Sequence, residues 1–255
     1  MKNTVYLFIF LSTISSWAVS QTTDRLPCID KKFSIVVHIV KDSLGKTPYT
    51  PVLIQQDIDS LNKNFAPICV SFEVCQYQYI DNFEYLQVDS AKDWKEMQVL
   101  YNLKDRINIY YVQTLIAPSG AGFAGLGAIT NMTKYGIVIT ASGGVVGERV
   151  LSHEMGHYFG LEHTFEVKHG NELVNESNCA TTGDLICDTP ADPNGTVDGS
   201  CQFTSMAKDA NGQYYSPLVN NIMSYYPATC ACNPGFTNQQ YEKMAKTYLS
   251  KPGMW

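Results

Sequence analysis

The sequence predicts an α/β (α+β) fold: a five-stranded sheet, two long helices, and an irregular, disulfide-bearing C-terminal part. Three observations lead there. Five extended runs rich in apolar, β-branched or glycine residues lie ahead of residue 143, with one helical run after the first and another after the last. Beyond Gly160 the periodic apolar runs thin out, and Asn, Asp, Gly, Pro and Cys dominate from Thr164 to about Asn220. A chain of 255 residues with 45% hydrophobic content is long enough for one sizeable core.

In chain order, "SIVVHIV" (Ser34 to Val40) is an unbroken apolar run, the pattern of a strand buried on both faces. "PVLIQQDIDSLNKNFAP" places Leu53, Ile54, Ile58, Leu61 and Phe65 at helical spacing. "VSFEVCQYQYI" alternates and is β-branched or aromatic, a second strand. "INIYYVQTL" (Ile107 to Leu115) is a third. "AGFAGLGAIT" (Ala121 to Thr130) is glycine-rich and weakly extended, suiting an edge or bulged strand. "GIVITAS" (Gly136 to Ser142) is the fifth. A helix then runs from about Val145 to Phe159. "FTNQQYEKMAKTYL" closes the chain as a helix, with Thr237 and Gln240 spaced for a capping box and Phe236 placed to staple against Tyr241.

The first 20 residues read as an export signal. Lys2 precedes the apolar run "VYLFIFLSTISSWAV", and Ala18 and Ser20 are small residues at the cleavage-defining positions, so cleavage is expected after Ser20. No later stretch is apolar enough for membrane insertion. Residues 21–255 then form a single domain, with an N-terminal subdomain at about 31–160 and a C-terminal one at about 161–255. The net charge of −6 becomes −7 once Lys2 is removed, and no basic cluster occurs, which argues against nucleic acid and anionic membranes as partners. Eight cysteines in an exported chain predict disulfides. Three precede residue 153 and five follow residue 163, so either one bridge joins the halves or each half keeps a free thiol.

The functional signal is "HEMGHYFGLEH", His153 to His163. On a helix, His153 and His157 lie one turn apart on one face and can hold one metal ion. Glu154 sits beside that face, in reach of water at the metal, as the general base of an HExxH site. Gly160, just past the helix, can take a left-handed backbone and let the chain swing His163 back as a third ligand. Three protein ligands leave a fourth position for water, the mark of a catalytic zinc site. In this composition the full pattern arises by accident on the order of 10⁻⁵. His38, inside an apolar strand, reads as a core histidine. His169, in the irregular segment, reads as solvated.

The pattern HExxHxxGxxH resembles that of the metzincin zinc peptidases. The details resemble the pappalysin (cytophagalysin-like) family: Leu161, His163, Thr164 and Phe165 continue the motif, "GDLICDTPADP" (Gly183 to Pro193) follows, then "NIMSYY" (Asn221 to Tyr226), and Phe236, Thr237 and Gln240 open the last helix. The resemblance spans roughly Ile35 to Leu249. It implies a metzincin-type zincin: a twisted mixed sheet with two long helices above and the irregular subdomain below the cleft. It implies a secreted zinc endopeptidase acting on proteins or peptides. It makes Met223 the floor beneath the histidines and Tyr225 a donor to the developing oxyanion. It makes Cys201 and Cys230 the best disulfide pair. It also implies a structural calcium ion at Asp184 and the backbone near Thr189, the alternative there being an Asx-turn and a helix-like cap.

Two features depart from the family. Arginine-preferring relatives carry an acidic residue where this chain has Thr229, which weakens the case for a basic preference. Only about a dozen residues separate Gln21 from the first strand, too few for the long latency segment of relatives. A thiolate of Cys28 over the zinc is the alternative to a disulfide at that cysteine. The competing function is a zinc-binding adhesin or toxin scaffold without turnover, and Glu154 argues against it, since a purely structural site has no use for a base there. The edge strand from Gly122 to Ile129 suits an extended peptide substrate that adds a strand to the sheet.

Overall fold

The structure, a computed structural model, describes residues 25–89, 92–116, 122–123, 125–126, 136–140, 149–227 and 235–251. The expected signal peptide, Thr229, Cys230 and the 127–130 part of the edge strand lie outside them.

The first strand, β1 (Lys31–Val40), is followed by α1 (Pro51–Phe65) and β2 (Val70–Ile80). Helix α1 starts where the sequence dictates: Thr50 is the N-cap, its side chain accepts from the Leu53 N–H, and Pro51 fills the first helical position, where no backbone donor is needed. A 3₁₀ turn (Ala66–Ile68) extends it, ending on Cys69 in a left-handed conformation. Next come β3 (Gln87–Asp89), α2 (Asp93–Tyr101), β4 (Ile107–Val112), β5 (Thr114–Ile116), β6 (Gly122–Phe123), β7 (Gly125–Leu126) and β8 (Ile137–Thr140). Helices α3 (Val150–Tyr158) and α4 (Asn238–Leu249) complete the set.

The main sheet has five strands in the order β2-β1-β4-β8-β7. The first three pairings are parallel and β7 runs antiparallel to β8, so the sheet is mixed, as expected. Alternation sorts its side chains onto two faces. Ile35, Val37, Ile39, Ile109, Tyr111, Ile137 and Ile139 point to the side carrying α1, α3 and α4, where they meet Ile58, Leu61, Phe65, Met155 and Met244. Val40, Tyr110, Val112 and Val138 point to the opposite side, where Trp94 and Met97 of α2 cover them with Tyr85, Val88 and Leu115. Central strands buried on both faces explain the unbroken apolar runs in β1 and β4.

Three differences from expectation stand out. The run Ile107 to Leu115 is two strands: the chain leaves the main sheet at exposed Gln113, and β5 joins a second sheet of order β3-β5-β6. The glycine-rich run from Ala121 is also shared, with Gly122–Phe123 pairing β5 and Gly125–Leu126 forming the outer edge of the main sheet. Helix α2 had no legible signal because its apolar residues do not keep to one face: Trp94 and Met97 are buried, while Val99 and Leu100 are exposed.

The C-terminal part is irregular as expected: from Thr164 to Asn220 the described residues form turns and isolated bridges only. Cys179–Cys187 closes a loop within it, and Cys28–Cys69 ties the N-terminal segment to the start of β2. Cys28 is therefore in a disulfide rather than a free thiolate. Cys201 is disulfide-bonded, and its expected partner, Cys230, lies outside the described residues. Cys75 on β2 is a free, exposed thiol whose Sγ donates to the Ile35 carbonyl oxygen. The last helix carries its expected start: the Thr237–Gln240 capping box is complete, and the Phe236 and Tyr241 rings meet edge to face at 5.6 Å.

Candidate metal centre

Helix α3 presents His153 and His157 one turn apart and is buried along nearly its whole length. A Schellman pair ends it. The Gly160 N–H donates to the His157 carbonyl oxygen and the Leu161 N–H to that of Gly156, with Gly160 at φ +87°. That left-handed residue reverses the chain and brings His163 back to the helix. The metal-binding nitrogens of His153, His157 and His163 lie within 4.8 Å of one another.

The second nitrogen of each helical histidine is tied off. His153 Nδ1 donates to the Ile222 carbonyl oxygen at 2.7 Å, and His157 Nδ1 donates to that of Leu161 at 2.8 Å. Both acceptors are carbonyls, so the proton sits on Nδ1 and Nε2 keeps its lone pair. His157 Nε2 and His163 Nε2 stand 3.1 Å apart. Tetrahedral zinc with bonds of 2.0–2.1 Å separates its nitrogens by about 3.3 Å, so this pair is spaced for such an ion. Burial, reinforced by the mutual repulsion of the rings, holds His153 far below the ordinary histidine pKa and His163 at about 4; burial also lowers His157. All three are neutral imidazoles at physiological pH, the form that ligates metal.

Beneath the ring cluster runs the turn Asn221–Tyr226. Met223 is fully buried, and a Cβ built on Gly156 would come within 2.5 Å of its sulfur, so the helix backbone rests directly on this methionine. The Asn221 side chain accepts from the Met223 N–H and exchanges amide hydrogen bonds with Gln240, which locks the turn to the capped end of α4. The Thr164 N–H, next to the third histidine, donates to the Met223 carbonyl oxygen. Asp192 holds the same two segments together, accepting from the Thr164 hydroxyl at 2.7 Å and the Tyr226 hydroxyl at 2.6 Å.

The Tyr225 ring stands 4.7 Å from His163 and 5.7 Å from His153, centre to centre, and Phe165 stacks on His163 at 4.7 Å. Glu154 is buried on α3. Burial, then the Glu154 charge, raises the Tyr225 pKa, so the hydroxyl is a donor. The phenol thus lies beside two of the three imidazoles and within the field of the acid.

Asp184 and Thr189 meet as well, through the hydroxyl of Thr189, which lies 3.0 Å from both carboxylate oxygens of fully buried Asp184. The Ile186 N–H donates to Asp184, an Asx-turn. Sequence reading missed Glu172. It is buried, both of its oxygens have no hydrogen-bond partner among the described residues, and its carboxylate abuts Gly183. It lines a cavity of about 240 Å³ shared with Thr164, Phe165, Asn171, Asp192 and Tyr215. No local pattern marks Glu172, because the chain reaches Asp184 only by folding back. Arg149 was also missed, although its place four residues before His153 puts it on the same helical face. His38 lies in the core stacked on Tyr110, with Nε2 bonded to Asn108 and Nδ1 without a partner. His169 is exposed, as expected, and it also pairs with Glu162 at 3.1 Å.

The peptidase family model described as "Pregnancy-associated plasma protein-A" matches residues 133–248, and the one described as "Metallo-peptidase family M12B Reprolysin-like" matches residues 53–164. An extracellular metalloprotease of Colletotrichum graminicola is 26% identical over 170 residues, 60% of this chain and 55% of that protein. One of Pyricularia oryzae is 25% identical over 227 residues, 83% of this chain and 73% of that protein. Among solved structures, archaemetzincin from Methanopyrus kandleri overlaps with a TM-score of 0.47 at 13% identity, over 86% of this chain and 97% of that one.

Proposed function

We propose that this chain is a metzincin zinc metallopeptidase of the pappalysin family that works outside the cell as an endopeptidase, with Glu154 as general base and Tyr225 as oxyanion donor. The observation that carries this reading is the set of three neutral imidazoles whose metal-binding nitrogens lie within 4.8 Å of one another, with Glu154 next to His153 on the same helix.

Zinc, when bound, supplies a Lewis acid that polarises the scissile carbonyl and lowers the pKa of water toward about 7. His153, His157 and His163 hold it as neutral ligands, the first two kept in one tautomer by the Ile222 and Leu161 carbonyls. Glu154 accepts the proton of the attacking water and passes it to the leaving amine. The Tyr225 hydroxyl donates to the oxygen of the scissile carbonyl as that oxygen gains charge. Met223 and Gly160 set the floor and the return of the third ligand. The substrate is a protein or peptide that lies extended along the β7 edge of the main sheet, adding a strand to it. The cleft follows the division near residue 160 between the N-terminal and C-terminal subdomains. Export rests on the apolar N-terminal run and on the relatives named as extracellular; no described helix is long and apolar enough to cross a membrane.

A calcium ion near Asp184 and Thr189 is the second cation of this reading. What favours it is Glu172, whose two buried oxygens lack donors, beside a carboxylate that is itself fully buried.

The test is cleavage of casein or gelatin fragments with and without a chelator, beside Glu154→Ala. The variant should keep one zinc per chain and lose about 10²–10⁴-fold in kcat. Stoichiometric zinc with no chelator-sensitive cleavage, and no difference between wild type and variant, would instead establish the non-catalytic adhesin.

A further inference from the structure

Arg149 stands one turn before His153 and ligates nothing. Its side chain is buried, with 7% of the residue exposed, and no described carboxylate forms an ion pair with it. It reaches across to the turn below the metal centre. Nη1 donates to the Tyr226 carbonyl oxygen at 2.9 Å. Nη2 donates to the Ser224 carbonyl oxygen at 3.1 Å, to Ser224 Oγ at 2.7 Å and to the Asn221 carbonyl oxygen. Burying a guanidinium against neutral acceptors is costly, and desolvation lowers its pKa to about 10. A leucine or methionine would fill the space at less cost, so the fork geometry is what the site retains.

The acceptors bracket one residue. Ser224 and Tyr226 flank Tyr225, so the guanidinium fixes the backbone on both sides of that phenol. Tyr225 itself is 60% exposed and, among the described residues, its side chain rests on ring contacts with His153, His163 and Phe165. Ring contacts alone do not fix the height of a hydroxyl above a metal centre; the backbone must. We propose that Arg149 is the positioning residue for Tyr225, holding the phenol where it meets the oxyanion. This rests on the reading of Tyr225 as oxyanion donor. Arg149 touches neither substrate nor metal and acts through the turn.

The experiment is a double-mutant cycle on the zinc-loaded, full-length mature protein with a fluorogenic peptide substrate. Zinc content and thermal unfolding are read alongside. Tyr225→Phe should lower kcat about 10²-fold with KM little changed. Arg149→Lys keeps the charge and loses the fork; it should keep one zinc per chain and lower kcat about 10-fold or more, with KM within about twofold. In the Tyr225→Phe background the Arg149→Lys substitution should cost less than about threefold, because its route to the chemistry is gone. Ser224→Ala covers the case in which Arg149→Lys does not fold: it removes one acceptor hydroxyl, and its severalfold loss in kcat should likewise vanish beside Tyr225→Phe. Multiplicative losses in the double variants, or loss of zinc from folded Arg149→Lys, would overturn the proposal. Wild-type kcat in Tyr225→Phe alone would reject the oxyanion reading first, and the role of Arg149 with it. A slow Tyr225→Phe with independent losses at Arg149 would reject only the latter.

Discussion

Glu172 and Asp184 show how a residue's surroundings decide its charge. Burial, and then the Asp184 charge, pushes Glu172 up to about 8. Burial pushes Asp184 to about 7 against the hydrogen bonds from Thr189 and Ile186, which favour the ionised form. Both folded values lie above the unfolded ones. The folded state then binds protons more tightly, and the pair's contribution to stability is full below about pH 4 and is lost as pH rises toward 8. A bound calcium ion reverses this by favouring the ionised pair. Calcium at 10 mM should therefore raise Tm by about 3–10 °C at pH 8 and much less at pH 5, taking an extracellular-type affinity of 10⁻⁴–10⁻³ M. Thermal scans at the two pH values check it, and a calcium-independent Tm at both would mean that Glu172 is simply protonated.

The decisive element is the end of α3. A helix alone supplies two histidines; its termination supplies the third. Gly160 carries φ +87°, and a Cβ there would sit 2.8 Å from Thr247 Oγ1 of α4. Gly160→Ala meets both the left-handed backbone penalty and that contact, so it should cost about 1–3 kcal/mol of stability. Because the same turn delivers His163, zinc affinity should fall as well. Thermal unfolding and competition with a chromogenic chelator read the two effects separately. An unchanged zinc affinity would show that His163 finds the metal by another route. The turn at Asn221–Tyr226 complements α3: its geometry is held by Gln240 of α4 on one side and by Arg149 on the other.

For the whole molecule, the sheet carries the load and the disulfides trim the ends. Cys28–Cys69 spans 41 residues and closes a loop containing β1 and α1. The Ile29 N–H donates to the Ile68 carbonyl oxygen and the Lys31 N–H to that of Cys69, so the bridge also pins the start of β1 against the start of β2. Replacing both cysteines with alanine should cost about 4 kcal/mol by loop-closure entropy, while the metal centre stays assembled because it lies on other elements. Denaturant unfolding with and without zinc measures this. A loss of zinc binding in the folded double variant would show that the two regions are coupled.

What could be read in the sequence is what is local. Periodicity marked α1, β2 and α4, whose caps and alternation depend only on near neighbours; Thr50, Pro51, Thr237 and Gln240 act within one turn of themselves. The spacing of His153, Glu154, His157, Gly160 and His163 encodes the site because a helix and one left-handed turn convert sequence distance into geometry. Tertiary structure decided the rest. The split of 107–116 between two sheets depends on which partner strand lies alongside. Helix α2 was hidden because its buried and exposed apolar residues do not separate on one face. Glu172 meets Asp184, His169 meets Glu162 and Arg149 meets the Tyr225 turn 75 residues on, all through loops whose paths no local rule specifies. Desolvation adds to the chemistry: such imidazoles are already mostly neutral above pH 6.5 in water, and burial in the assembled core extends the neutral, metal-binding form to lower pH.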